Sequence, residues 1–396
     1  MSRVGVELAV TGVGVVSPWG DTAEAAAAAG GAAMPGADRW FDHRERLGPR
    51  GYKYLPAAAQ YALAAARAAL ADGGRPDAVP ADRRGLLLAT GAGLASLFDA
   101  MDATVAGDGG AAHLSPATAP YFAVNVLGNR LAAELELKGF ALTVATARTA
   151  AADALSTGAL ALAAGRCDTL VLAAAEEPLP AARGGGGEQG AAAFTLEPLA
   201  AARARGTRVH GTLRARSLFV PPGALRDSAG RERAAAHLTA ALADLLLGPA
   251  GGPPVPVSPG LDRDLVFDRD RYRDLVFDPD PGLDPGLDLV LDLDESVVGE
   301  AVALAVAGAA SGGGPRATGP RLAMPSGAPE IAHPPGTHRV GCLGPAFALV
   351  HAVTSPDGPD RLVVCATGAG HVALVRVSPA RPSRITTQEP SHAEVA

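Results

Sequence analysis

Aromatic side chains make up only 4% of this 396-residue chain and charged ones 19%, while hydrophobic residues reach 48%. So few rings argue against a core built on large flat plates. Alanine and glycine supply much of the apolar count, so the interior must be packed from small side chains at close backbone approach, which suits tightly layered helices. Cysteine is also scarce: Cys167, Cys342 and Cys365 are the whole set. They have no metal spacing and no even disulfide count, and read as reduced core thiols of a cytoplasmic protein. No excess of positive charge is present; a net charge of −7 and a pI near 5.7 argue against nucleic acid and anionic membrane surfaces as partners. The N-terminus lacks a basic segment followed by an apolar one, and Val6 to Val10 reads as a strand instead. The alanine runs are too weakly hydrophobic and too interrupted by charge to span a bilayer.

Two chemical signatures are missing as well. Gly12 and Gly14 carry no G-x-G-x-x-G, so Leu8 to Gly20 reads as a buried strand entering a tight turn, with no nucleotide loop. Serine, histidine and aspartate occur without a G-x-S-x-G elbow. No cofactor and no metal is expected.

What is present is a regular alternation of strands and helices. Ala57 to Asp72 reads as an amphipathic helix with Pro56 at its start and Gly73-Gly74 at its end. Arg84 to Gly91 is a strand ending in a glycine-rich loop, Val105 to Ser115 a loop, and Ala123 to Ala132 a helix. Leu170 to Glu177 is a strand whose two glutamates read as structural. Ala234 to Leu247 reads as a helix, and Arg361 to Val377 as strand, glycine turn and strand. Between them lies an acidic repeat over 261–294, with Asp264 to Asp268 and Asp274 to Asp278 both spelling Asp-Leu-Val-Phe-Asp. Its aspartates lack the ordering of a calcium loop. It reads as a solvated slipped repeat in which one copy of Asp-Leu-Val-Phe-Asp serves as a strand. Residues 378–396 read as a polar, disordered tail.

The deciding stretch is Thr143-Val144-Ala145-Thr146-Ala147-Arg148-Thr149-Ala150-Ala151. A β-branched run turns abruptly into good helix formers, which places Arg148 at a strand-to-helix turn. The N-terminus of a helix favours a thiolate or an oxyanion, and an arginine there has the wrong sign. Thr146-Ala147-Arg148-Thr149-Ala150 resembles the T-A-C-[ST]-[SA] nucleophile turn of the β-ketoacyl synthase family, with arginine in the cysteine slot. Gly165-Arg166-Cys167-Asp168 follows at that family's spacing. The opening at Val10 to Gly20, the segment Glu188 to Gly206 and the glycine turn at Thr367 to Gly370 are similar to further motifs of the family.

This resemblance implies an α/β, thiolase-like fold of two duplicated halves in a layered α/β/α/β/α arrangement, residues 1–206 and 207–377. It also implies membership of an acyltransferase family whose members condense acyl thioesters. Arg148 replaces the nucleophile, and a guanidinium stays protonated and cannot attack a thioester. The family's histidine motifs find no match: Ser296 is a loose equivalent of the histidine in K-x-x-x-G-H-x-x-x-A-x-G, His371 is a possible pocket residue in a glycine-turn slot, and no histidine lies between His237 and His333. The expected role is that of a chain length factor: a subunit inactive alone that pairs with an active ketosynthase in a heterodimer and meets acyl carrier protein bearing a phosphopantetheine-bound chain. Two other readings stay open. One is a stand-alone pseudoenzyme docking an acidic carrier protein through Arg203, Arg205, Arg208, Arg214 and Arg216; the other is an acyltransferase with a different nucleophile.

Overall fold

The computed structural model describes residues 6–28, 40–73, 79–107, 110–180, 187–247, 288–294, 296–310, 341–356 and 358–380. In the first half the strands are β1 (Leu8–Val16), β2 (Arg84–Ala89), β3 (Ala141–Val144), β4 (Thr169–Glu176) and β5 (Gly190–Pro198). They are joined through helices α1 (Ala23–Ala28), α2 (His43–Arg46), α3 (Ala57–Asp72), α4 (Ala95–Gly107), α5 (Asn125–Glu134), α6 (Ala150–Ala163) and α7 (Leu199–Arg205). The second half contains β6 (Gly211–Phe219), α8 (Ser228–Leu247), β7 (Asp288–Leu293), α9 (Val297–Ala310), α10 (Leu343–Thr354), β8 (Arg361–Ala366) and β9 (His371–Pro379).

Among the described residues the strands run in the order β3-β2-β4-β5-β1-β6-β9-β8-β7. The halves repeat one plan. From β1 outward the neighbours β5, β4 and β2 pair antiparallel, antiparallel and parallel. From β6 outward β9, β8 and β7 do the same. A short antiparallel ladder, Leu8 opposite Leu213 to Val10 opposite Gly211, joins the two. By this correspondence α10, which precedes β8, is the counterpart of α6, which precedes β4.

Strand alternation sorts the core into three helical layers. On β4, Leu170, Leu172 and Ala174 pack with α6 and α10, while Val171, Ala173 and Ala175 pack with α3 and α5. On β9, Ala373, Val375 and Val377 face the same central helices, and Val372 and Leu374 face α8 and α9. Helix, sheet, helix, sheet, helix is the result, as a thiolase-like ketosynthase fold requires. Both faces of each sheet are covered, which is why β4 is apolar from Leu170 to Ala175 rather than alternating.

The shortage of aromatics is met by close approach. Gly12 and Gly14 lie inside β1, not in a turn as the sequence suggested. A Cβ on Gly12 would stand 2.1 Å from the carbonyl oxygen of Ala69, and one on Gly14 2.1 Å from that of Ala65. The alanine face of α3 therefore lies directly on the strand's backbone. The turn comes later, where the Gly20 N–H donates to the Ser17 carbonyl.

Three further expectations change. Helix α4 covers residues 95–107, reaching into the segment read as a loop. Strand β9 continues to Pro379, with the Ser378 hydroxyl donating to Asp360 at 2.8 Å, so the chain is still paired where a tail was expected; residues 381–396 lie outside the described residues. The strand of the acidic repeat is Asp288–Leu293, downstream of both Asp-Leu-Val-Phe-Asp copies, which lie outside the described residues.

Candidate functional site: the closed elbow

Strand β3 ends at Val144 and a 3-10 turn, Ala147–Thr149, leads into α6. Ala147 has φ +51°, a left-handed conformation rare for alanine, which turns the chain sharply before Arg148. The turn is stapled by Asp153, one turn into the helix. Its carboxylate accepts the hydroxyls of Thr146 at 2.6 Å and Thr149 at 2.8 Å. This differs from an ordinary N-cap, whose side-chain oxygen accepts a backbone N–H: here the hydroxyls donate to an acid inside the helix.

Arg148 is 8% exposed. Its Nη1 donates to the carboxylate of Asp292 on β7, which is 1% exposed, and lies 3.5 Å from the Leu293 carbonyl oxygen. A charge this deep requires a partner of opposite sign, and Asp292 supplies it from the other half of the chain. The sequence alone does not single out this carboxylate.

Two residues further on, Asp294 holds a second element. Its carboxylate accepts the N–H of Gly368, in the glycine turn between β8 and β9, and the hydroxyl of Ser296. Ser296 in turn accepts the Gly299 N–H at 3.1 Å and caps α9. The end of β7 thus fastens the elbow through Asp292 and the glycine turn through Asp294. Ser296 belongs to the outer helix, which does not fit its reading as a histidine equivalent. The helix beside α6 in the central layer is α10, and Gly341-Cys342 with Ala346 fits the G-H-x-x-x-A spacing there, with cysteine in the histidine slot.

His371 begins β9 opposite Phe219 of β6, and the two rings meet edge to face with centroids 5.4 Å apart. Phe219 is 52% exposed. The pair marks a surface beside the glycine turn; a Cβ on Gly370 would strike the Phe219 ring at 2.9 Å.

None of the thiols is poised to attack. Burial raises Cys167 to about 11. Burial, then the charge of Glu176, holds Cys342 well above the ordinary thiol range. Burial, then the charge of Asp292, does the same at Cys365. A nucleophilic cysteine requires the opposite shift. Among the described residues no group of three or more His, Cys, Asp or Glu is placed to hold a metal, and no helix is long and apolar enough to cross a membrane.

The carboxylates of β4 and its neighbours act as helix anchors. Glu176 accepts the N–H groups of Gly91 at 2.6 Å, Ala92 at 2.8 Å and Cys342 at 2.9 Å. Glu188 accepts those of Leu343 at 2.8 Å and Gly344 at 2.9 Å, so two acids complete the N-terminus of α10. Glu177 accepts the Ser96 N–H at the start of α4. Burial raises both Glu176 and Glu177 above the ordinary carboxylate range, against the opposing pull of these N–H donors. Of the proposed basic face, Arg205 pairs with Glu197, Arg208 with Asp72 and Arg216 with Asp244, while Arg214 donates to the Leu245 carbonyl.

The sequence profile of the Beta-ketoacyl synthase N-terminal domain matches residues 16–217. The chain belongs to the β-ketoacyl synthase family. Solved structures share its fold along nearly the whole length. The ishigamide ketosynthase/chain length factor aligns at 19% identity and a TM-score of 0.61, covering 95% of this chain and 100% of that one. The AntDE:AntF complex, a type II acyl-carrier protein with its ketosynthase bound to the hexaketide, aligns at 16% identity and a TM-score of 0.65, covering 94% and 99%. A β-ketoacyl synthase from Burkholderia phymatum aligns at 14% identity and a TM-score of 0.56, covering 95% and 100%. No curated protein sequence matches the chain.

Proposed function

We propose that this ketosynthase-family chain is a noncatalytic, cytoplasmic subunit of the chain-length-factor kind. It pairs with an active ketosynthase in polyketide or fatty-acid-like chain elongation and forms part of the wall around a chain delivered by acyl carrier protein. One observation carries the reading: the nucleophile turn keeps its strand-turn-helix geometry while Arg148 fills it, neutralised by Asp292. A protonated guanidinium is no nucleophile, and the buried thiols are held in their neutral form. Condensation must then occur on another chain.

The partner's place is favoured by the free edge of the first half. Strand β3 ends the described sheet, its Leu142 is exposed, and Phe122 and Val124 beside α5 are exposed too. The same reading divides the chain near Gly206, which ends α7 in a left-handed conformation. A stand-alone carrier-binding pseudoenzyme requires a free basic face, and most of the arginines offered for it are already engaged.

The test is intact-mass analysis of wild type and Arg148→Cys after incubation with acyl thioesters and malonyl carrier protein. The expected result is no acyl adduct on the wild type and no elongation by either alone. An adduct on the wild type, or elongation by Arg148→Cys without a second subunit, contradicts the reading.

A further inference from the structure

We draw no further inference here: the strongest candidate, the apolar outer face of α9 on which Val297 and Leu304 lie exposed, carries nothing because nothing among the described residues shows what covers it.

Discussion

Replacing Arg148 by methionine leaves the Asp292 carboxylate, 1% exposed, without the guanidinium that balances its charge. Breaking a buried ion pair by removing one partner costs about 3–5 kcal/mol. Asp292→Leu strands the guanidinium and should cost a similar amount. Removing both charges together with side chains of similar volume should be nearly neutral, within about 1–4 kcal/mol on the stabilising side. In thermal unfolding each single variant should melt roughly 4–6 °C below wild type, and the double variant should recover to wild type or above. Urea unfolding of the four proteins completes the cycle and isolates the coupling. Losses under about 1 kcal/mol, the size of an exposed pair, would refute the idea that this pair closes the elbow. A double-variant loss equal to the sum of the two single losses would refute the coupling itself.

Other expectations follow from the same contacts. Glu176→Ala removes the acceptor of the Gly91, Ala92 and Cys342 N–H groups, of which that of Cys342 is buried and costs about 1–3 kcal/mol when left unpaired; chemical denaturation should record a loss above about 1 kcal/mol. Gly14→Ala drives a Cβ into the Ala65 carbonyl of α3 and should lower stability by about 1–3 kcal/mol, where an exposed strand glycine would gain from the same change. Glu177 is raised above its unfolded value, so its contribution is fully present below about pH 4.3 and is lost as pH rises through the folded value. The stability difference between wild type and Glu177→Gln should therefore move against wild type between mildly acidic and neutral pH; movement the other way would mean the N–H donors outweigh burial. Leu142→Lys should abolish copurification with an active ketosynthase while leaving the melting temperature of the isolated chain unchanged, since Leu142 is exposed on the edge strand.

Much of the first half was legible because local pattern and tertiary role coincide there. The 57–72 helix has the bounds that its alanine periodicity, Pro56 and Gly73 imply. The turn at Arg148 follows from an abrupt change of side-chain type, and its substituted nucleophile is visible in five residues. The second half was harder. Helix α10 opens with Leu343-Gly344-Pro345, which looks like a turn, and it forms because Glu176 and Glu188, distant in sequence, satisfy its first N–H groups. Missing it led the histidine equivalent to Ser296 on the outer helix. Helix α8 begins at Ser228, before the expected Ala234, because Asp227 accepts the Gly230 N–H and so offsets a poor helix former. Asp292 was hidden for another reason: in a stretch full of aspartates, only pairing with β8 distinguishes the one that reaches Arg148. Gly12 and Gly14 look the same in sequence whether they serve a turn or a helix contact.

The most direct test is to express this chain, tagged, with an intact-cysteine ketosynthase encoded beside it, and to measure the native mass and elongation activity of what copurifies. A one-to-one complex that extends acyl chains, when neither chain does so alone, is the predicted result. A stable homodimer that ignores the ketosynthase would contradict the account.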